Sequence, residues 1–184
     1  MTRHVAFVRA INVGGHAVVR MNDLQKMFAT AGCCDVRTYI ASGNILFDAP
    51  AGRVAASIRK VGASLRKHLG HEPEIVVRTA SEIEAIVKAV PFKNLADEPD
   101  IKLYVAFLAR APKPRPKWPI VSITDAVEAI PAGDRDVFIV RRRMQNGLFA
   151  IPNNFLEATL GVPATIRNWA TVTKVHAMAA RKPE

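Results

Sequence analysis

Cysteine is nearly missing from this chain, and the two that occur are the neighbours Cys33 and Cys34. Adjacent cysteines bridge only with severe backbone strain, so both are expected as reduced thiols and no disulfide framework is available. Long apolar runs are missing too, and no stretch reaches the roughly 18 residues that a membrane-spanning helix needs. The N-terminal "MTRHVAFVRAINV" has no small-residue cleavage site behind its apolar run and reads as a first strand. A cytoplasmic address without a membrane partner is therefore expected. Aromatic residues make up only 7% of the chain, few for a protein that stacks bases. Acidic residues are the minority charge, 16 Asp and Glu against 26 Lys and Arg, a formal net charge of +10. Each half of the chain carries +5, so no detachable basic tail explains the total. An excess spread this way suits anionic partners, nucleic acid included, and also simply keeps a protein soluble.

What is present is apolar pattern. Hydrophobic residues at 49% suffice for a core without metal or disulfide staples, in one domain or two small subdomains. Residues 4–11 alternate, Val5, Phe7, Arg9 and Ile11 against Ala6, Val8 and Ala10, which predicts a strand. Leu24, Met27, Phe28 and Ala31 recur at helical spacing until Gly32 stops the helix. "DVRTYI" and "NILFDA", separated by "ASG", read as a hairpin. Helical spacing resumes over residues 53–69 and ends at Gly70, and "EIVVRT" makes a fourth strand. The order β-α-β-β-α-β within residues 1–79 is that of a ferredoxin-like plait, with sheet order 4-1-3-2.

Residues 80–184 predict a second, less regular plait-like subdomain with C-terminal helices. Ser81 and Glu84 suggest a capping-box helix, and "IKLYVAFLA" a strand. "APKPRPKWP" predicts an extended surface connection. Residues 126–130 and 136–143 suggest a hairpin around "PAGD", and Asn146-Gly147 a turn before a short strand "LFAI". Helices near 153–160 and 167–180 close the chain. The expected class is α+β, two ferredoxin-like (alpha-beta plait) subdomains with mostly antiparallel sheets.

In that topology strands 1 and 2 run the same way, so "INVGGH" and "ASGN" meet at one sheet edge. Arg9, Asn12, Gly14, Gly15, Ser42, Gly43 and Asn44 are expected there as a ligand site. Small residues near a helix start expose backbone N–H groups, which suits a small anionic or phosphorylated ligand. Neither common glycine code fits: no Lys-Ser/Thr follows the pair, and G-x-G-x-x-G is absent. The plainer alternative is that Gly14, Gly15 and Gly43 only supply positive-φ turns.

The second constellation is "ATIRNWATVTK", residues 164–174. Thr165 is placed to cap a helix with Arg167 and Asn168 in its first turn, so that Arg167, Thr171 and Lys174 share a face. Packing the Trp169 side against the first subdomain would bring the Arg167 guanidinium to a glycine edge that lacks full positive charge. The alternative is a terminal helix with a buried tryptophan and solvated cations. His68-x-x-His71 has no third ligand at metal spacing, and no metal or cofactor is expected. Asp97, Glu98 and Asp100 read as solvated, Ser42 lies outside a nucleophile elbow, and no general base is evident, so enzyme status stays open. Arg141 and Arg143 alternate with Arg142 across a strand and do not form one patch of three. Lys113, Arg115, Lys117 and Trp118 read as a solvated loop before a nucleic-acid contact.

"INVGGH", "VRTYIASGNILF" and "ATIRNWATVTKV", in this order, make the chain similar to the bacterial family called domain of unknown function 1697, over residues 3–178. The resemblance implies two ferredoxin-like subdomains and no activity. Members usually read R-G-I-N-V-G-G, and here Ala10 stands in place of the first glycine; Cys33-Cys34 replaces a Gly-aromatic-type pair, which argues against a thiol role. The leading functional expectation is a small anionic ligand at the strand-1 edge. The alternatives are a nucleic-acid-binding plait, whose affinity would be weak, or an interaction module without ligand. Against the former, "NILFDAP" lacks the basic-Gly-aromatic pattern of RNA-recognition strands. Oligomeric state is not legible.

Overall fold

The computed structural model describes residues 1–12, 18–89, 91–92, 95, 98–149 and 152–180. The chain divides into two compact units, residues 1–84 with 174–184, and residues 85–173.

In the first unit, β1 (Thr2–Val8) leads to α1 (Met21–Thr30), the hairpin β2 (Cys34–Tyr39) and β3 (Asn44–Ala49), then α2 (Ala51–Leu69) and β4 (Ile75–Thr79). The sheet order is β2-β3-β1-β4 with every neighbouring pair antiparallel, the 4-1-3-2 order expected from the pattern. Ala6, Val8, Ile45 and Phe47 of the sheet pack with Leu24 and Phe28 of α1 and Val61 and Leu65 of α2. Each large apolar side chain buried this fully contributes about 1.5–3 kcal/mol.

Helix ends follow glycine as predicted. Gly32 sits at φ 93, its N–H donates to Ala29 and that of Cys33 to Phe28, a pair of bonds that satisfies the last carbonyls of α1. Gly70 ends α2 at φ 78. The first strand is shorter than its alternation suggests, because Ala10 (φ 51) and Asn12 (φ 59) turn the chain out of extended geometry. α3 (Ala80–Lys88) follows β4 without a loop. Its capping box is Thr79 and Glu82, not Ser81 and Glu84: the Glu82 N–H donates to the Thr79 hydroxyl, and the Thr79 N–H to the Glu82 carboxylate.

The second unit holds β5 (Ile101–Leu108), β6 (Ile120–Ser122), β7 (Val127–Pro131), β8 (Asp136–Arg142), α4 (Pro152–Leu160) and β9 (Ala164–Asn168), with the start of α5 (Trp169–Ala179). The order is β6-β7-β8-β5-β9, again antiparallel throughout. Taken in chain order, β5, β7, β8 and β9 occupy the places of β1, β2, β3 and β4. The proline-rich connection and the extra edge strand β6 stand where the first sheet has α1. Ala106, Leu108, Val137 and Ile139 pack with Leu156 and Leu160 of α4, and Trp118 of the connection lies against the same core.

Two expectations are corrected in this unit. Residues 164–168 form β9, not a helix start: the β-branched Thr165 and Ile166 pair with Phe107 and Ala106 of β5, and this ladder prevails over local helical spacing. Leu148 and Phe149 lie outside any strand, and Ala150 and Ile151 of "LFAI" fall outside the described residues.

Candidate functional site

The end of β1 and the β2–β3 turn meet, as the topology requires. Asn12 joins them: its Nδ2 donates to the carbonyls of Val19 (3.0 Å) and Ala41 (2.9 Å), and its Oδ1 accepts from the Val19 N–H (2.8 Å). One side chain thus closes the base of the loop and ties it to the neighbouring turn. Gly14 and Gly15 belong to the segment 13–17, outside the described residues.

The remaining edge residues mostly build the turn. Gly43 adopts φ 73, and a Cβ there would stand 2.5 Å from Ile11 Cγ2 and 3.1 Å from the Val8 carbonyl oxygen. The close approach of Ile11 and Val8 and the positive φ both favour glycine. Asn44 is fully buried and donates to the Tyr39 carbonyl (3.0 Å) and the Ser42 hydroxyl (2.9 Å). Arg9 is half-buried, with its N–H on the Glu74 carbonyl at 2.9 Å. His68 Nε2 lies 3.3 Å from the carbonyl of Val18, next to the Asn12-bound Val19.

Backbone strain collects here. Of the five non-glycine residues at positive φ among the described residues, Ala10, Asn12 and Ile40 (φ 48) stand at this edge. Such conformations cost about 1–3 kcal/mol each and persist only where the surroundings over-determine them. Beside them α1 opens at Arg20, which makes no side-chain capping bond.

Arg167, Asn168 and Thr171 lie in the second unit. Arg167 is on β9, so it does not share a helical face with Thr171 and Lys174. Its Nη1 donates to the Thr165 hydroxyl and the Ile166 carbonyl, both at 2.9 Å, and burial pushes its guanidinium down to about 10. Asn168, not Thr165, caps α5: its Oδ1 accepts from the Thr171 N–H at 2.7 Å. Trp169 meets Phe92 and Phe138 edge-on, at centroid distances of 5.1 and 6.5 Å. Arg115 of the proline-rich connection pairs with Asp134 at 2.8 Å.

Cys33 is buried and Cys34 exposed, both as free thiols. Burial pushes the Cys33 thiol up, away from nucleophilic behaviour. No helix among the described residues is long and apolar enough to cross a membrane.

The fold is shared with a solved structure described as that of a conserved bacterial protein, SP0830 from Streptococcus pneumoniae. The match has 23% sequence identity and a TM-score of 0.62, and covers 97% of this chain and 98% of that one. At this identity the likeness shows the fold alone. No curated protein matches the chain. Residues 1–138 match the family described as Protein of unknown function (DUF1697), and the chain belongs to that family.

Proposed function

We propose that the first unit binds a small anionic or phosphorylated ligand at the edge formed by the "INVGG" and "SGN" loops. The observation that carries this reading is the gathering of three strained non-glycine residues, Ala10, Asn12 and Ile40, around one clamped loop. Strain held in place by hydrogen bonds is a common property of ligand clamps. Arg9 would contribute charge, and the Ser42 hydroxyl and the N-terminus of α1 would contribute donors. Asn12 acts as a positioning residue, because its amide is committed to the loop base. The unit is read as a ferredoxin-like plait, supported by its element and strand order; the second is read as a plait whose first helix is replaced by the proline-rich connection. A cytoplasmic location is supported by the two free thiols.

The test is a thermal-shift panel of nucleotides, phosphorylated metabolites and their unphosphorylated counterparts. A ligand that binds only the folded state raises its apparent stability. A phosphorylated compound is expected to do so in the parent and to lose its effect in Arg9→Gln. If no phosphorylated compound stabilises the chain, or if Arg9→Gln and Asn12→Ala both respond like the parent, the reading fails.

A further inference from the structure

In the second unit three cations converge on one benzene ring. Lys102 Nζ stands 4.2 Å from the centroid of Phe149, and the guanidinium carbons of Arg143 and Arg141 stand 5.4 and 5.7 Å from it. Arg141 also lies 5.2 Å from the Tyr104 ring and donates to the Tyr104 hydroxyl at 3.1 Å. The ladder places Lys102 directly opposite Arg141, and Arg143 follows two residues on, along the same face. Like charges set directly opposite each other in a sheet repel.

Little compensates them. Arg143 pairs with Asp100 at 2.7 Å, but among the described residues Lys102 and Arg141 face no carboxylate. Arg141 is only 7% exposed, and its Nε has no hydrogen-bond partner. A π-face attracts cations but carries no net charge, so the ring orders the cluster without neutralising it. Beside the cluster a cavity of about 430 Å³ opens past the end of β9, and Lys102, Tyr104, Asn168 and Trp169 line it. That lies within the range of about 300–1,000 Å³ usual for small-molecule sites.

We propose that Lys102, Arg141 and Arg143 form a binding site for the phosphoryl groups of a small molecule, a diphosphate or an anion of similar charge density. The remainder of that molecule lies in the adjoining cavity against Tyr104 and Trp169. Three charges gathered on a single ring match one concentrated anion better than the spaced phosphates of an extended strand, and guanidinium groups suit phosphoryl oxygens. The site lies wholly in the second unit and stands independently of the loop-edge reading.

The test uses the full chain and inorganic pyrophosphate at constant ionic strength, with chloride as the control, read by thermal shift and calorimetry. Pyrophosphate is expected to raise Tm in the parent and in Lys102→Arg, and to bind about tenfold more weakly or worse in Lys102→Gln and Arg143→Gln. In low salt without pyrophosphate, Lys102→Gln is expected to melt above the parent, since it removes a like-charge neighbour. A purely structural cluster would give the reverse: Lys102→Gln would melt lower and leave the pyrophosphate response intact. That result overturns the proposal. So does a single-stranded oligonucleotide that binds through Lys102 and Arg143 more tightly than pyrophosphate, because it would mark a nucleic-acid surface instead.

Discussion

Ala10 shows how much one residue's backbone angle explains. The family resemblance implies glycine at this position, and the chain holds Ala10 at φ 51. The left-handed region is open to glycine and costs other residues roughly 1–2 kcal/mol. Turn geometry therefore accounts for a glycine here without any ligand approaching the strand. Ala10→Gly is expected to stabilise the protein by about 0.5–1 kcal/mol, with the added freedom of the unfolded chain offsetting part of the gain. The corresponding rise is about 1–4 °C in Tm, and an unchanged or lower Tm would mean that the methyl group of Ala10 packs usefully. Asn12 predicts the opposite sign. Asn12→Ala removes three hydrogen bonds and puts a less tolerant residue at φ 59, so a loss of about 2–3 kcal/mol is expected in urea denaturation. Asn12→Gly relieves the angle but not the bonds, and should fall between the two.

Between elements, the first sheet is laced by charge on β1, β2 and β3. Arg3 Nε pairs with Asp48 at 2.7 Å, and Arg3 also meets Asp35, whose other oxygen accepts from Arg37 at 3.0 Å. Burial alone would raise the Asp35 carboxyl, but the hydrogen bonds from Arg3 and Arg37 outweigh it and hold the group below its ordinary value. A carboxyl depressed in the folded state adds stability above its unfolded pKa of about 3.9, and that stability is lost as pH falls through the folded value. Unfolding free energy should therefore be insensitive to this group between pH 5 and 7, taken as about one unit above the unfolded value and beyond, and should decline below about pH 4. Asp35→Asn tolerates the local φ of 40 and isolates the charge. It should lower stability at neutral pH by about 1 kcal/mol and flatten the acid limb. An acid limb identical to the parent's would show that other carboxylates govern it.

Across the whole molecule the +10 charge acts as a field, with no base-reading element among the described residues. Affinity for single-stranded oligonucleotides is expected to be weak, tolerant of sequence and steeply reduced between about 50 and 200 mM salt. A tight, sequence-selective complex that survives moderate salt would make nucleic acid the partner. The two units carry the same succession of strand places, yet differ in how a face is covered: α1 packs on the first sheet, and Trp118 of the proline-rich connection on the second. Proline cannot propagate a helix, so composition alone accounts for that difference.

Local pattern was enough for much of this protein. Two-residue alternation marked β1, the apolar segment "IKLYVAFLA" marked β5, helical spacing marked α1 and α2, and Gly32 and Gly70 marked where those helices end, because each signal depends only on near neighbours. The order of the first sheet followed as well, since handedness and short connections leave few alternatives. The meeting of Asn12 with the Ala41 turn was legible as an adjacency, but the loop-closing role of the Asn12 amide was not. Nor was β9: "ATIRN" became a strand because β5 offered it a partner, a gain no local propensity contains. Alternation already put Arg141 and Arg143 on one face, yet nothing near them in the chain announced Lys102 or the Phe149 ring. Register across a sheet joins residues some forty positions apart, as Lys102 and Arg141 show, and only the folded ladder decides which charges stand face to face.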